Sequence, residues 1–210
     1  MELPPSLPAR VYLLAYRPDR GRLAQRSDLG LMLRAAALTE LLQRGLLSDD
    51  RDKAAIGDPA PTGLDPLLAE VLEQVAASRP RRWEHWIKVG NRAAPRAVRD
   101  QLTDDGPLEL TQHRVLGLFP TLRPALLDPA PHQRLLAEFT AALTDPLPQV
   151  EPWQAALVSL ADAGRLRHVL TGRQRREHRS RIRELTALAG PVPSALRHAI
   201  QARHAVQSGG

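Results

Sequence analysis

Residues 29–43 (LGLMLRAAALTELLQ) form the part of the sequence that most restricts the fold. The only charged side chains in this run are Arg34 and Glu40. Because Ser27-Asp28 precedes the run as an N-cap signal, the pattern predicts a helix from Leu29 to Arg44. A helix that is apolar on nearly all sides is stable only when other elements surround it. We therefore expect a central core helix, and the residues expected to be inaccessible to solvent are Leu33, Ala37 and Leu41.

The rest of the sequence predicts further helices that are joined by proline-rich loops. These helices are expected at about 65–78, 95–104, 131–143, 152–162, 173–188 and 193–206. Short strands are expected at 10–16, in a hairpin over 46–58 and in a second hairpin over 108–119. The predicted fold class is mainly α, a single globular helical domain around a central hydrophobic helix, with small β-hairpins. The domain is expected to span residues 1–207 and to be followed by a disordered end, 208–210.

Composition and hydropathy exclude several classes of protein. The sequence has no cysteine, which excludes a disulfide scaffold, thiolate zinc sites and a cysteine nucleophile. It has no run of about 18 apolar residues that could span a bilayer, and its first residues lack the basic region of a signal peptide. We therefore expect a cytoplasmic protein that meets a membrane, if at all, from the surface.

Motifs of enzymatic chemistry are absent from the sequence. It contains no HExxH, GxSxG, GxxxxGK[ST] or GxGxxG pattern, and its seven histidines have no metal-ligand spacing. We therefore expect a protein without catalytic residues, metal or cofactor.

Positive charge is concentrated in two blocks of the sequence. Residues 79–99 contain seven cations and one carboxylate, and residues 165–184 contain eight arginines and two carboxylates. Two such blocks on an otherwise acidic chain indicate a polarised surface that faces nucleic acid or an anionic membrane. The alternative is that both blocks are solvated helix faces. Attraction to a membrane requires the two blocks to lie on one side of the molecule, and we expect this arrangement.

Arg34 is the residue that the core prediction explains least well. A guanidinium within an apolar helix is costly unless it reaches water, a carboxylate or another anion. One interpretation is a structural pair with Glu40 or Asp28, and the other is an anion-binding role.

Several motifs together resemble the Golgi phosphoprotein 3 family. In chain order they are LGLMLRAAALTELLQRGLL, DPAPTGLDPLLAEVLEQV, Trp86-Ile87 and AVRDQLTDDGPLEL. The C-terminal segments QRLLAEFTAAL and QAALVSLADAGRLRHVL follow the closing helices of that family, so the resemblance covers about residues 9–206. Bacterial, notably actinobacterial, versions of this domain are common, and the excess of arginine over lysine suits such a member.

The resemblance implies a peripheral membrane protein. Characterised eukaryotic members of the family bind phosphatidylinositol 4-phosphate through a tryptophan, an arginine on the central helix and two arginines on a later helix. The central-helix arginine corresponds to Arg34, and the later pair corresponds to Arg92 and Pro95, with Arg96 as the substitute for the second. The tryptophan position holds a glutamine in this sequence. The headgroup-binding residues implied are thus Arg34, Arg92, Arg96, Gln25 and Arg26.

The second hairpin matches a family element that is proposed to enter the bilayer. The membrane-contacting residues implied are Leu116, Leu118 and Phe119, and the alternative is that they form ordinary hairpin core. The function expected is binding of an anionic, phosphoinositide-like lipid headgroup in an arginine pocket, without catalysis. Its partners would be an anionic membrane surface and an unidentified protein. We expect Arg34 to open into a shallow pocket with Arg92 or Arg96. The alternative function is a winged-helix-like nucleic-acid-binding protein.

Overall fold

The central helix predicted from the apolar run is present and is surrounded by other elements. The computed structural model describes residues 3–25, 27–57, 63–115 and 119–208. Helix α2 spans Leu29–Gln43, and Leu33, Ala37 and Leu41 are each 0% exposed. The prediction of a fully buried core helix is confirmed.

Most of the other elements are helices that pack around α2. Within the described residues the helices are α1 (Leu7–Ala15), α2, α3 (Pro66–Ala76), α4 (Trp83–Lys88), α5 (Ala94–Asp104), α6 (Ala130–Thr144), α7 (Pro152–Ala163), α8 (Gly172–Glu177), α9 (Arg179–Ala189) and α10 (Val192–Ser208). Helices α1, α3, α4, α5, α7 and α10 all contact α2. None of the helices in these residues is long and apolar enough to cross a membrane. The predicted mainly α fold class is confirmed.

Three small antiparallel sheets lie among the helices of the described residues. Their strands are β1 (Tyr16–Arg17), β2 (Arg22–Leu23), β3 (Leu47–Asp49), β4 (Lys53–Ile56), β5 (Arg81–Arg82), β6 (Leu108–Val115) and β7 (Phe119–Leu126). Strands β1 and β2 pair with each other, β4 lies between β3 and β5, and β6 pairs with β7. The predicted first hairpin is therefore present, with β5 added to it.

The strand predicted at 10–16 is wrong, because these residues belong mainly to helix α1. Every residue of α1 except Arg10 is buried, so the segment has neither the alternation of a strand nor the polar face of a surface helix. Pro8 lies in the first turn, where proline suits a helix. The backbone N–H of Leu7 donates to Glu40 Oε2 at 2.7 Å, which fixes the start of α1 against α2.

Three other boundaries differ from the prediction. The single helix expected at 173–188 is two helices that meet at His178. The second hairpin is longer than expected, since β7 continues to Leu126. Ser208, assigned to a disordered end, is the last residue of α10, and residues 209–210 lie outside the described part.

Helix α10 extends beyond the core of the protein. Its first half is buried through residues such as Leu196 and Ile200. From 201 to 208, every residue is exposed except Arg203, which is half-buried. The last two turns of α10 therefore bury almost no apolar surface.

Candidate anion-binding cleft

Arg34 lies inside the protein, and each of its three guanidinium nitrogens donates a hydrogen bond. Its side chain is 0% exposed, in the middle of α2. Nη2 donates to Gln74 Oε1 at 2.7 Å, and Nη1 lies 3.3 Å from Glu70 Oε1. Nε donates to the backbone oxygen of Trp86 at 3.3 Å. Burial lowers the pKa of Arg34, and the nearby Glu70 carboxylate opposes this effect.

The guanidinium of Arg34 supports the turn between α4 and α5. The backbone oxygen of Trp86, in α4, accepts a hydrogen bond from Arg34. The turn that follows α4 passes directly over the Arg34 side chain at Gly90. A Cβ built on Gly90 would lie 3.3 Å from Nη1 of Arg34 and 3.1 Å from Oε1 of Glu70. Arg34 is therefore a positioning residue, because it holds the backbone of this turn from below.

The expected pocket of three arginines around Arg34 is wrong in its geometry, because the guanidinium does not reach the surface. The expected structural pairs are also wrong. Glu40 accepts from the backbone of Leu7 and is paired with Arg44. Asp28 is paired with Arg203 and His204 in α10. The partner is instead Glu70, which projects from α3.

A cleft of about 760 Å³ lies one turn from Arg34, at the amino end of α2. We call it the α2 cleft. It is bounded by α2, by the turn and first residues of α5, and by the end of α10. Its lining residues are Ser27, Gly30, Leu31, Lys88, Asn91, Arg92, Pro95, Ala199, Ala202, Arg203, Val206 and Gln207. No carboxylate is among these lining residues, all of which belong to the described part of the chain.

Gly30 allows the α4–α5 turn to approach α2 closely enough to form the cleft. A Cβ on Gly30 would lie 1.9 Å from the backbone oxygen of Asn91, a distance that no side chain can occupy. The glycine is therefore required by the packing of the turn against the helix. Gly30 and Arg34 together set the position of this turn, one by close approach and the other by hydrogen bonding.

Three cations line the α2 cleft. Lys88 and Arg92 are exposed, and within the described residues neither side chain has a hydrogen-bond or ion-pair partner. Arg203 is anchored: it donates to Asn91 Oδ1 at 2.8 Å and to the backbone oxygen of Ser27, and it lies 3.7 Å from Asp28. The cleft thus presents two cations that are free to bind an anion and one that ties its walls together.

One side of the α2 cleft is apolar. Leu31 and Ala199 are buried in its floor, and Val206 at its rim is 80% exposed. A cleft that combines free cations with aliphatic lining residues is suited to an amphipathic anion.

Two other predicted headgroup residues, Arg96 and Gln25, do not line the α2 cleft. The side chain of Arg96 is 80% exposed and is paired with Asp100 at 3.5 Å, outside the lining of the cleft. Gln25 donates to the backbone oxygens of Gly164 and Arg165, at 3.4 and 3.1 Å. Arg26 lies outside the described residues.

The proposed membrane-contacting residues are described only in part. Leu116 and Leu118 lie outside the described residues. Phe119 begins β7 and is paired with Val115 of β6, so the hairpin itself is present. A bilayer contact of these residues stays a prediction.

The two basic blocks line different concavities. Lys88 and Arg92 of the first block line the α2 cleft. In the second block, Arg165 and Arg167 line a cleft beside β1 and β2. Four later arginines of that block line a further concavity together with Asp162, to which Arg175 is bound at 2.6 Å; they are Arg175, Arg176, Arg179 and Arg183. A common basic side for both blocks stays a prediction.

Sequence reasoning missed Lys88 and Arg203 as residues of the cleft. Lys88 is one of only two lysines and belongs to the first basic block, so its charge was visible but its position was not. Arg203 gives no sequence signal, since it is 112 residues from Asn91, its partner across the cleft.

The fold and the cleft define a mainly helical protein with a cationic concavity at the amino end of a buried central helix. The Golgi phosphoprotein 3 (GPP34) family matches this chain over residues 7–203, and the chain belongs to that family. Among curated proteins, none matches the sequence.

Proposed function

We propose that the protein is a non-catalytic peripheral membrane protein that binds an anionic lipid headgroup in the α2 cleft. The observation that supports this most directly is the pairing of two free cations, Lys88 and Arg92, with an apolar rim at Val206. A phosphate headgroup would accept charge-assisted hydrogen bonds from the cations, while acyl chain carbons would contact the rim.

Membership of the Golgi phosphoprotein 3 family supports a role in lipid binding, without specifying the residues that bind. Among the described residues that the resemblance implies, Arg92 alone also lines the cleft. Lys88 takes the place of Arg34 and Arg96 as the second headgroup ligand beside Arg92, and Arg203 ties the walls of the cleft together. Arg34 would act indirectly, by holding the turn from which Lys88 and Arg92 project.

Vesicle co-sedimentation tests this function. The full chain is mixed with phosphatidylcholine vesicles that contain either no anionic lipid or 10% phosphatidylinositol 4-phosphate. Binding only to the second vesicles is expected. Each cation near an anionic surface contributes about 1 kcal/mol, so the Lys88→Gln/Arg92→Gln variant should bind about thirty-fold more weakly.

The matched control is the Lys53→Gln/Arg79→Gln variant, which removes the same charge. Both residues are exposed, and Lys53 is in β4, outside the lining of the α2 cleft. If the two double variants lose equal affinity, binding is a general charge effect and the cleft is not the site. If the wild-type protein ignores vesicles and instead binds duplex DNA with a steep salt dependence, the nucleic-acid alternative replaces this proposal.

A further inference from the structure

A second basic cleft lies on the other side of Asp28, between the β1–β2 hairpin, the residues that follow α7, and α10. We call it the hairpin cleft, and its volume is about 630 Å³. Its basic lining residues are Arg17, Arg22, Arg165, Arg167, His168 and His204. No carboxylate is among its lining residues, which all belong to the described part of the chain. The two clefts meet at α10, where Arg203 lines one and His204 lines the other.

Three of these arginines are free to bind an anion. Arg22, Arg165 and Arg167 are exposed and have no side-chain partner within the described residues. Arg17 differs, because it is bound to Asp19 at 2.8 Å. Like charges that converge on one concavity repel one another, and a bound anion relieves this repulsion.

Other arginines of the same basic block have carboxylate partners. Arg173 is bound to Glu177 at 2.7 Å, and Arg175 is bound to Asp162 at 2.6 Å. Arg176, Arg179 and Arg183 of the block also lack a side-chain partner within the described residues, but they line a concavity that contains the carboxylate of Asp162. Arg165 and Arg167 differ because no carboxylate lines the cleft that they face.

The backbone at Arg165 is held in a conformation that favours glycine. Arg165 has φ +53° where the chain leaves α7, and Leu166 N–H closes the turn by donating to Ala161 O at 3.0 Å. Glycine occupies the preceding position, 164, where a Cβ would lie 2.4 Å from Sδ of Met32. An arginine with a positive φ is strained, and such strain concentrates at functional sites.

A second non-glycine residue with a positive φ, Gln25, also fixes this turn. Gln25, with φ +49°, donates its side-chain amide to the backbone oxygens of Gly164 and Arg165. This contact joins the segment after β2 to the end of α7, and both residues line the hairpin cleft. The side chain of Arg165 is therefore presented to the cleft from a rigid support.

We propose that the hairpin cleft is a second ligand site, which binds the phosphate group of a phosphorylated molecule. Three free guanidiniums match the charge and the acceptor oxygens of a phosphomonoester or pyrophosphate better than those of a carboxylate. The volume exceeds that of a phosphate ion, so the site has room for the organic group attached to the phosphate. The site is separate from the α2 cleft and needs neither Lys88 nor Arg92.

Isothermal titration calorimetry of the full chain with inorganic pyrophosphate at low salt tests the proposal. The Arg22→Gln/Arg167→Gln variant should bind at least about ten-fold more weakly than wild type. The Lys88→Gln/Arg92→Gln variant should keep the pyrophosphate site that the Arg22→Gln/Arg167→Gln variant weakens, whether or not wild type binds a second pyrophosphate in the α2 cleft. This second result separates the proposal from the lipid function, which can fail independently. The Arg176→Gln/Arg179→Gln variant removes the same charge from two exposed arginines outside the hairpin cleft and controls for loss of charge.

The Arg165→Gly variant gives a readout that a purely structural arginine would not give. Relief of the positive φ should raise the melting temperature of the ligand-free protein by about 2 °C, while loss of the guanidinium weakens pyrophosphate binding. A vesicle arm with phosphatidic acid distinguishes the sources of the phosphate. Parallel loss of vesicle binding in Arg22→Gln/Arg167→Gln assigns a lipid headgroup, and unchanged vesicle binding assigns a soluble phosphate compound.

Three results would overturn the proposal. The first is a wild-type protein that does not bind pyrophosphate at low salt. The second is a Lys88→Gln/Arg92→Gln variant that has lost pyrophosphate binding, since the anion then occupies the α2 cleft. The third is an Arg22→Gln/Arg167→Gln variant that binds no more weakly than Arg176→Gln/Arg179→Gln.

Discussion

Replacement of Glu70 by alanine should destabilise the protein far more than its exposure suggests. The side chain of Glu70 is 41% exposed, and substitutions at such positions are usually worth less than about 0.5 kcal/mol. Its carboxylate, however, is the only one paired with Arg34 in the described residues, and the side chain of Arg34 is 0% exposed. Glu70→Ala therefore leaves a buried guanidinium without its counter-charge.

The magnitude follows from these contacts. Loss of one partner from a buried ion pair costs about 3–5 kcal/mol. Gln74 still accepts from Arg34 at 2.7 Å, and water can approach the vacated half-exposed position, so the expected cost lies at or just below the lower end of this range. We expect Glu70→Ala to lower the free energy of unfolding by about 2–3 kcal/mol, and the melting temperature by about 5–10 °C.

Urea unfolding followed by circular dichroism measures this effect. Glu73→Ala is the matched control, since Glu73 is an exposed acid on the same helix. The Arg34→Met/Glu70→Ala double variant should recover much of the loss, because it leaves no charge buried, although the Trp86 carbonyl still lacks its donor. If Glu70→Ala and Glu73→Ala are equally mild, Arg34 does not depend on its carboxylate and our account of the α4–α5 turn is wrong.

Two further predictions follow from close packing and from buried histidines. Gly30→Ala should lower the free energy of unfolding by about 2–4 kcal/mol, measured by urea unfolding, because the added methyl group meets the backbone oxygen of Asn91. A mild effect would mean that the turn can move away. Burial lowers the pKa of His132 and His168 below the ordinary value of 6.5, so the unfolded chain binds protons more readily than the folded protein. Stability should therefore fall as the pH drops through about 6.5 toward the lower folded-state pKa values, and His132→Gln should reduce this slope. Glu40, whose pKa burial raises above 4.5, has the opposite dependence, and its contribution cancels when the variant is compared with wild type. An identical slope in both proteins would exclude His132 as the cause.

Helix α2 could be predicted from the sequence because its pattern is compatible with one structure, a helix that is buried on all sides. A run with only two charges needs burial on all sides, and alanine and leucine favour a helix. Helix α1 was predicted as a strand because its run is just as apolar but shorter. In such a run no polar face reveals the helical period, and burial against α2 decides the conformation.

The candidate site was only partly predictable, because its geometry depends on contacts between distant residues. The isolated charge of Arg34 correctly indicated a residue that needs a partner. Its partners Glu70 and Gln74 lie 36 and 40 residues away, on a helix whose orientation the sequence does not specify. The local charge pattern placed Lys88 and Arg92 in a basic block. It could not reveal that they line a cleft, or that α10 closes the other side of that cleft.

Because of the two exposed turns at the end of α10, salt should affect the attachment of this helix as well as the binding of an anionic ligand. They bury little apolar surface, and their described attachments to the amino end of α2 are the pairs of Arg203 and His204 with Asp28 and the bonds of Arg203 to Ser27 and Asn91. Dissolved ions weaken such charge pairs as well as the attraction of any anionic ligand. Rising ionic strength should thus loosen the wall that α10 contributes to both clefts, even with no ligand present. A salt titration of the ligand-free protein therefore reports on the attachment of α10, separately from any effect of salt on ligand binding.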